Sequence, residues 1–329
     1  MNESHPCIEI AIRRLLDGTP KIQLEAIFPE HTGFEVQLPV WRPGRYELGQ
    51  FAQYIYQMEG QSEDGTWEAL SKSDLHRWQV PAGMQRLRWI FYADLFNAGS
   101  TGVADDVVYI NPVNCFLFDA NHPEYGYRIA LADVPAEWDV ATGLAREGEY
   151  WVARDVQHVM DSPILAARKL WHHVYESHGL PFHIWAYGIH THDADRFVRE
   201  HQAFTDAQIA HFGNFPISQY HFIYVFPERE VRHGVEHEDT TVIALGPSEK
   251  CQTEEGHMEL IGIASHELYH AWNVKRIRPA EWMPYDFTQA CPSRMGYVAE
   301  GVTTYMGDLF LFESGVVDFA GWCRLMERL

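Results

Sequence analysis

The segment from Leu260 to Trp272 constrains the fold of this chain more than any other, because it joins a helical apolar repeat to ionisable side chains. Its apolar residues recur at helical spacing, at Leu260, Ile261, Ala264, Leu268, Ala271 and Trp272. The flanking stretches IGIAS and LYHAW are too apolar for a free surface helix, so we expect the helix to be buried. Ionisable groups in a buried helix need partners. The fold must therefore cover this helix and give its polar side chains something to bind.

The ionisable residues of this helix are His266, Glu267 and His270, which form the pattern HELYH. Histidines four residues apart lie on one helical face, about one turn apart, so both imidazoles can reach a single metal ion. Glu267 follows the first histidine and can act on metal-bound water as a general base. The pattern alone also fits a solvated surface face. The apolar flanks favour a zinc site instead, with one Zn²⁺ per chain.

Glu300 is the predicted third ligand. It lies in GYVAEGVTTYMGDLF, a second segment with helical apolar period, after a proline-broken loop long enough to return the chain antiparallel to the first helix. Thr304 and Asp308 follow one and two turns further along the same face, where they could hydrogen-bond a ligand. A carboxylate favoured by a helix start is the alternative for Glu300, and it is less attractive beside the histidine pair.

The letters HGVEH at 233–237 match an inverted zinc pattern, H-x-x-E-H. Gly234 interrupts this stretch and the strand-like EDTTVIALG follows it, so the helix that the pattern requires is not expected. We predict an edge strand or loop that carries Glu236 into the site. The histidine pairs His172–His173 and His190 with His192 lack the helical four-residue spacing and are interpreted as solvated or hydrogen-bonded side chains.

The first half of the chain has the two-residue period of β-strands. Apolar and polar residues alternate over 22–26 and 34–38, and further strands are predicted within 87–96, 107–110 and 127–134. Short strands at this spacing indicate a sandwich-like domain.

The second half mixes helices and strands. A helix is predicted over 193–211, a buried strand over 220–226 and the two periodic helices over 260–272 and 298–312. The predicted fold class is α+β, with a β-rich sandwich-like domain over residues 1–165 and a second domain over residues 166–329.

Composition excludes several classes of partner. The 329 residues contain 25 basic and 46 acidic side chains, a formal net charge of −21, which argues against nucleic acid and anionic lipid. The sequence contains no run of 18 apolar residues, so it predicts no membrane-spanning helix. The amino terminus lacks the pattern of a secretory signal. Five widely spaced cysteines indicate reduced thiols, so we expect a cytoplasmic protein.

Longer motifs resemble a known family. SHELYHAWNVKRIRPAEW with YVAEGVTTYMGDL downstream is similar to the glycyl aminopeptidase family of zinc metallopeptidases, whose members usually carry a PDZ domain. The string WNVKRIRP is far more specific than the zinc pattern alone. The resemblance continues in LPVWRPGRYELGQFAQYI, VVYINPVNCFLF, DSPI and HGVEHEDT, so it covers nearly the whole chain.

The resemblance implies a thermolysin-like catalytic domain after the β-rich domain. By the same analogy His266, His270 and Glu300 bind zinc and Glu267 is the general base. In related aminopeptidases a glycine–glutamate loop holds the free α-amino group of the substrate, and Gly234-Val235-Glu236-His237 stands at that position. Glu236, with Gly234 beside it, is therefore the predicted amine anchor.

One departure from the family is expected at the carboxyl end. Family members continue through a helical region and a PDZ module, whereas this sequence ends at CRLMERL, which has the character of a helix interior, so we expect a truncated form. The tyrosine that stabilises the oxyanion in related enzymes lies further downstream; Tyr269 and Tyr305 are the tyrosines within range here.

The predicted function is a zinc aminopeptidase that removes small residues, glycine or alanine, from peptides with a free amino terminus. Two alternatives remain at this stage. One is an endopeptidase of thermolysin type, which does not need a free amino terminus. The other is a metal- or peptide-binding module without catalysis, which the shortened carboxyl end favours.

Overall fold

The computed structural model describes residues 6–29, 33–188 and 193–327. His190 and His192 of the sequence analysis, and the last two residues of CRLMERL, lie outside these ranges. The chain forms two compact units. The amino-terminal unit comprises Met1–Leu95, Ser100–Arg168 and Pro284–Pro292, and the carboxy-terminal unit comprises Phe96–Gly99, Lys169–Met283 and Ser293–Leu329.

The amino-terminal unit is built from seventeen strands and two short α-helices among the described residues. The strands are β1 (Cys7–Leu15), β2 (Lys21–Ile27), β3 (Phe34–Gln37), β4 (Trp41–Arg42), β5 (Glu47–Leu48), β6 (Ile55–Gln61), β7 (Trp67–Ala69), β8 (Lys72–Asp74), β9 (Arg77–Val80), β10 (Arg86–Tyr92), β11 (Gly102–Ala104), β12 (Val107–Ile110), β13 (Gly126–Leu131), β14 (Asp139–Ala141), β15 (Ala145–Glu147), β16 (Tyr150–Ala153) and β17 (Ile164–Ala167). The helices are α1 (Pro112–Cys115) and α2 (Val156–Met160).

The largest sheet of this unit has eight strands in the order β15-β16-β13-β1-β2-β10-β6-β7, and a second sheet has the order β11-β12-β17-β14. Along β2 the alternation seen in the sequence becomes alternation of burial: Ile22, Leu24 and Ala26 are buried and their neighbours are not. The prediction of a β-rich amino-terminal part is confirmed. The strand predicted within 87–96 ends earlier, at Tyr92, and the one within 127–134 ends at Leu131.

The carboxy-terminal unit has five strands and four α-helices among its described residues. They are β18 (Trp171–Ser177), β19 (Leu180–Tyr187), β20 (Tyr220–Val225), β21 (Val231–Glu236), β22 (Thr240–Gly246), α3 (Ala194–Phe212), α4 (Glu254–Tyr269), α5 (Thr303–Glu313) and α6 (Phe319–Met326). The sheet order is β18-β19-β20-β22-β21, with β20 parallel to both its neighbours and β21 antiparallel at the edge.

Local sequence explains why the helices of this unit begin and end where they do. The Asp193 carboxylate accepts a hydrogen bond from the Arg196 amide at the start of α3, and Gly213 ends that helix with a φ of 80°. At the start of α4 the Thr253 hydroxyl accepts from the Gly256 amide at 3.0 Å. The helix predicted over 193–211 and the strand predicted over 220–226 are both present within one or two residues.

Cys7, Cys115, Cys251, Cys291 and Cys323 all lie within the described residues, and no disulfide joins them there. In the described part of the chain, no helix combines the length and apolarity needed to cross a membrane.

His201 is expected to make the stability of the carboxy-terminal unit depend on pH. This fully buried side chain of α3 donates from Nδ1 to the Phe197 carbonyl, and its Nε2 lies against the Tyr224 hydroxyl. Burial lowers the pKa of His201 to about 3. Since the unfolded chain then binds more protons between about pH 6.5 and pH 3, the free energy of unfolding falls as the pH falls through that window.

We expect this effect to be visible in His201→Gln, which removes the titrating group. Between pH 7 and pH 4.5 the free energy of unfolding of the wild type should fall by about 2–3 kcal/mol more than that of the variant. Urea unfolding at a series of pH values measures the difference. Parallel pH profiles for the two proteins would contradict the assignment.

Candidate functional site

Helix α4 carries the predicted metal-binding residues, and it is buried as its apolar flanks predicted. Leu260, Ile261, Ala264 and Leu268 are fully buried in the core of the carboxy-terminal unit. The helix ends at Tyr269, and His270 follows with helical backbone angles of −61° and −19°. Its imidazole therefore stays on the face of the helix that also presents His266.

Three side chains converge at this face. The Nε2 atoms of His266 and His270 are 3.1 Å apart, and an Oε2 of Glu300 lies 3.4 Å from the first and 3.7 Å from the second. For a tetrahedral zinc ion with ligands at about 2.0–2.1 Å, neighbouring ligand atoms lie about 3.3–3.4 Å apart. The observed spacings bracket that value, so these three residues fit a single zinc ion.

The charges and the hydrogen bonds of the site also favour a bound cation. Glu236, Glu267 and His270 form a second close group in which every side chain is buried. With Glu300 of the first group, three carboxylates lie near the His270 imidazole. Burial by itself lowers the pKa of His270, but Glu236, Glu300 and Glu267 together raise it above its ordinary value. Glu300 Oε1 and Glu267 Oε2 are buried without a hydrogen-bond partner among the described residues. A cation held between these groups would balance their charge.

Glu267 differs from the ligand candidates in its electrostatic setting. Burial raises the pKa of its carboxyl above the ordinary value, and the nearby Glu236 and Glu300 act in the same direction. For Glu300 burial also acts to raise the pKa, but the hydrogen-bonding imidazoles of His266 and His270 hold it below its usual range. The surroundings thus act in opposite directions on the two carboxylates: they raise the pKa of Glu267 and lower that of Glu300.

Strand β21 brings Glu236 to this group; of the two alternatives that the sequence left open, an edge strand or a loop, the structure has the edge strand. Alternate residues of β21 face α4: Arg232 pairs with Glu259 of the helix at 2.5 Å, Gly234 lies against Glu267, and Glu236 reaches His270. The inverted pattern does not supply ligands, because His233 Nδ1 lies 3.2 Å from Asn97 Oδ1 and Glu236 alone of this stretch joins the close groups among the described residues.

Gly234 has a steric reason to be glycine. A Cβ built on it would stand 2.7 Å from the carboxyl carbon of Glu267 and 2.9 Å from Cγ2 of Ile263, closer than real Cβ atoms approach other heavy atoms. The strand backbone can pass beside the Glu267 carboxylate only because no side chain intervenes.

Thr304 and Asp308, the residues predicted to hydrogen-bond a ligand, differ in what the structure shows of their contacts. The Thr304 hydroxyl donates to the Glu300 carbonyl at 2.8 Å and lies 3.4 Å from Nδ1 of His266, so it contacts both ligand-bearing helices. Asp308 is half-buried on α5 two turns after Glu300. Its contact with a ligand stays a prediction. Tyr269 packs against Phe212 and Phe310, with ring centroids 5.5 and 6.0 Å away, while Tyr305 is 43% exposed.

Helices α3, α4 and α5 are joined by buried polar residues that the sequence did not single out. Gln208 donates to both the carbonyl and the hydroxyl of Ser265, at 2.9 and 3.0 Å, and the Ser265 hydroxyl donates to the Gly307 carbonyl at 2.8 Å. A Cβ on Gly307 would stand 3.0 Å from the backbone of His266, so the two helices approach closely here. A glycine among the large residues of TTYMGDLFLF was the available signal for this approach.

Comparisons with known proteins agree with this architecture. The model of the peptidase M61 N-terminal domain matches residues 17–168, and that of the M61 glycyl aminopeptidase matches residues 259–329. The chain therefore belongs to the M61 glycyl aminopeptidase family, and the expected family is confirmed. No curated protein matches the chain.

A solved structure shares the fold. The crystal structure of an aminopeptidase N family protein from Idiomarina loihiensis matches with a TM-score of 0.84 and 22% sequence identity. The match covers 96% of this chain, and this chain spans 56% of the length of that one. The expected α+β fold, β-rich at the amino end, is thereby confirmed.

Proposed function

We propose that this protein is a zinc aminopeptidase that removes small amino-terminal residues, glycine or alanine, from peptides. Membership of the glycyl aminopeptidase family supports peptidase activity and the small residue. The observation that carries the proposal is the buried group itself: Glu236, Glu267 and His270 lie together beside His266 and Glu300.

In this proposal His266, His270 and Glu300 hold one Zn²⁺, which when bound supplies a Lewis acid that polarises the scissile carbonyl and makes water a better nucleophile. Glu267 accepts the proton of the attacking water and passes it to the leaving amine. Its burial suits this task, because a carboxylate with a raised pKa is a stronger base. Gly234 leaves room for the carboxylate to reach the reacting groups.

Glu236 is the proposed anchor of the substrate's α-amino group. It is 3% exposed, so a protonated amine that reaches it makes a charge-assisted hydrogen bond with little competition from water. A blocked amino terminus offers neither the charge nor the donors. The preference for free amino termini, which separates an aminopeptidase from an endopeptidase, is therefore assigned to this one carboxylate.

Glycine p-nitroanilide and its N-acetyl derivative test this assignment. We expect the wild type to hydrolyse the first and not the second, and Glu236→Gln to lower kcat/KM on the free substrate about 10- to 100-fold, as expected for loss of a hydrogen bond to a charged group. Glu238→Gln is the matched control, since that neighbouring carboxylate lies 3.8 Å from Arg276 instead.

Other outcomes would favour the two alternative functions. Similar rates on free and acetylated peptides would indicate an endopeptidase of thermolysin type and remove Glu236 from its role. Bound zinc and peptide affinity without turnover would indicate a module that binds but does not catalyse.

A further inference from the structure

Asn273 contacts both parts of the candidate metal centre. It lies three residues after His270, in the turn that follows α4, and is 6% exposed. Its backbone carbonyl accepts a hydrogen bond from Nδ1 of His270 at 2.7 Å. A proton on Nδ1 leaves the lone pair on Nε2, the atom that lies 3.1 Å from His266 Nε2 and 3.7 Å from Glu300 Oε2. The carbonyl thus selects the tautomer of His270 that can bind a metal.

The side chain of Asn273 reaches the segment that carries Glu300. Its Nδ2 donates to the Val298 carbonyl at 2.8 Å and to the Thr303 hydroxyl oxygen at 3.0 Å, and lies 3.4 Å from the Ala299 carbonyl. Val298 and Ala299 belong to a π-helical turn, Tyr297–Val302, which leads directly into α5.

In a π-helical turn the backbone bonds run between residues five apart instead of four. Side chains add further donors to its carbonyls here. The Asn273 amide donates to the Val298 carbonyl. The Thr303 hydroxyl donates to the Ala299 carbonyl at 2.6 Å, and the Thr304 hydroxyl donates to the Glu300 carbonyl at 2.8 Å. The amide of Asn273 is the donor that comes from outside this turn and its helix, so it fixes where the turn stands relative to α4.

The backbone beside Asn273 is strained. Val274 has a φ of 143°, which a β-branched residue rarely adopts, and its side chain is fully buried. The Lys275 amide donates to the His270 carbonyl at 3.1 Å, which closes the turn from the other side. Strained conformations persist where surrounding contacts determine them. In this turn the Asn273 carbonyl lies 2.7 Å from His270 Nδ1.

We propose that Asn273 is a positioning residue that couples the two halves of the metal centre: its carbonyl orients His270 and its amide sets the position of the π-helical turn carrying Glu300. The proposal rests on the proposed function in assuming that these side chains bind zinc. Loss of the amide is expected to weaken zinc binding about 10- to 100-fold, the range seen when a partner of a metal ligand is removed.

The test is the zinc affinity of the full chain, measured without peptide by competition with a chromophoric chelator. Asn273→Ala removes the amide and keeps the carbonyl, and we expect its Kd for Zn²⁺ to rise by that factor. Thr303→Val removes the hydroxyl partner but preserves the side-chain shape, and we expect it to weaken zinc binding in the same direction. If both act through the π-helical turn, the double variant should lose less than the product of the two single losses.

Gln157→Ala is the matched control, because Gln157 is also an amide that ties a loop backbone, to Tyr285 at 2.8 and 3.1 Å, within the amino-terminal unit. Its zinc affinity should equal that of the wild type. Unchanged zinc affinity in Asn273→Ala and Thr303→Val, with only a lower Tm, would overturn the coupling and leave the proposed function standing. A wild type that binds no zinc would overturn the proposed function and the coupling together.

Discussion

Replacing Glu267 with glutamine is expected to lower peptide hydrolysis by about 10²- to 10⁴-fold, the range that a positioned general base contributes. Glutamine has nearly the same shape but cannot accept the proton of the attacking water. The proposed ligands are His266, His270 and Glu300, so zinc content should stay at the wild-type level. The measurement is kcat/KM on glycine p-nitroanilide together with zinc analysis by mass spectrometry.

Glu255→Gln provides the matched control, since Glu255 is an exposed carboxylate in the first turn of the same helix α4. It should retain wild-type turnover and zinc. Undiminished hydrolysis by Glu267→Gln would remove the carboxylate from the mechanism. Loss of zinc from this variant would instead make Glu267 a ligand.

The second large effect is expected from Gly234→Ala. The added Cβ would overlap the Glu267 carboxylate and approach Ile263, so either β21 or the Glu267 side chain must shift. A displacement of about 1 Å in a catalytic group can cost about 100-fold in rate, and we expect a loss of that order in kcat. Zinc should remain bound, because the three atoms nearest the new methyl group belong to Glu267 and Ile263 and not to His266, His270 or Glu300.

Gly262→Ala is the matched control for this prediction. Gly262 lies on α4 itself, and a Cβ there would meet nothing within 4 Å. Alanine in a helix interior is favoured over glycine by about 0.5–1 kcal/mol, so this variant should be slightly more stable and equally active. If Gly234→Ala also kept wild-type kcat, the close approach of β21 to Glu267 would have no catalytic meaning.

Much of this site was accessible from the sequence because its signals are local. His266 and His270 are linked by helical spacing, and the apolar residues around them predicted burial. Glu236 could be assigned to an edge strand or loop because Gly234 and the following strand-like letters argued against a helix. Glu300 needed one further step, a second periodic helix that returns antiparallel to the first.

The remaining features depend on contacts between distant segments. Gln208 and Ser265 are 57 positions apart, and Asn273 reaches Val298 across 25 positions. No periodicity relates such pairs, since each bond forms only after the helices have packed. Apolar spacing also does not predict the π-helical turn at Tyr297–Val302, which receives a hydrogen bond from the distant Asn273.

Short segments that belong to a different unit from their neighbours in the sequence are hidden for the same reason. Phe96–Gly99 groups with the carboxy-terminal unit although both flanking stretches belong to the amino-terminal unit, and Pro284–Pro292 does the reverse. Composition does not change at these points. Within the carboxy-terminal unit the first segment supplies Asn97, which meets His233 on the strand that carries Glu236.

The most direct test of the central claim is a titration of Zn²⁺ into the metal-free protein, with bound zinc and hydrolysis of glycine p-nitroanilide followed in the same samples. The proposed function predicts no hydrolysis without metal and a linear rise that ends at one zinc per chain. Hydrolysis by the metal-free protein, or none at full zinc occupancy, would contradict it.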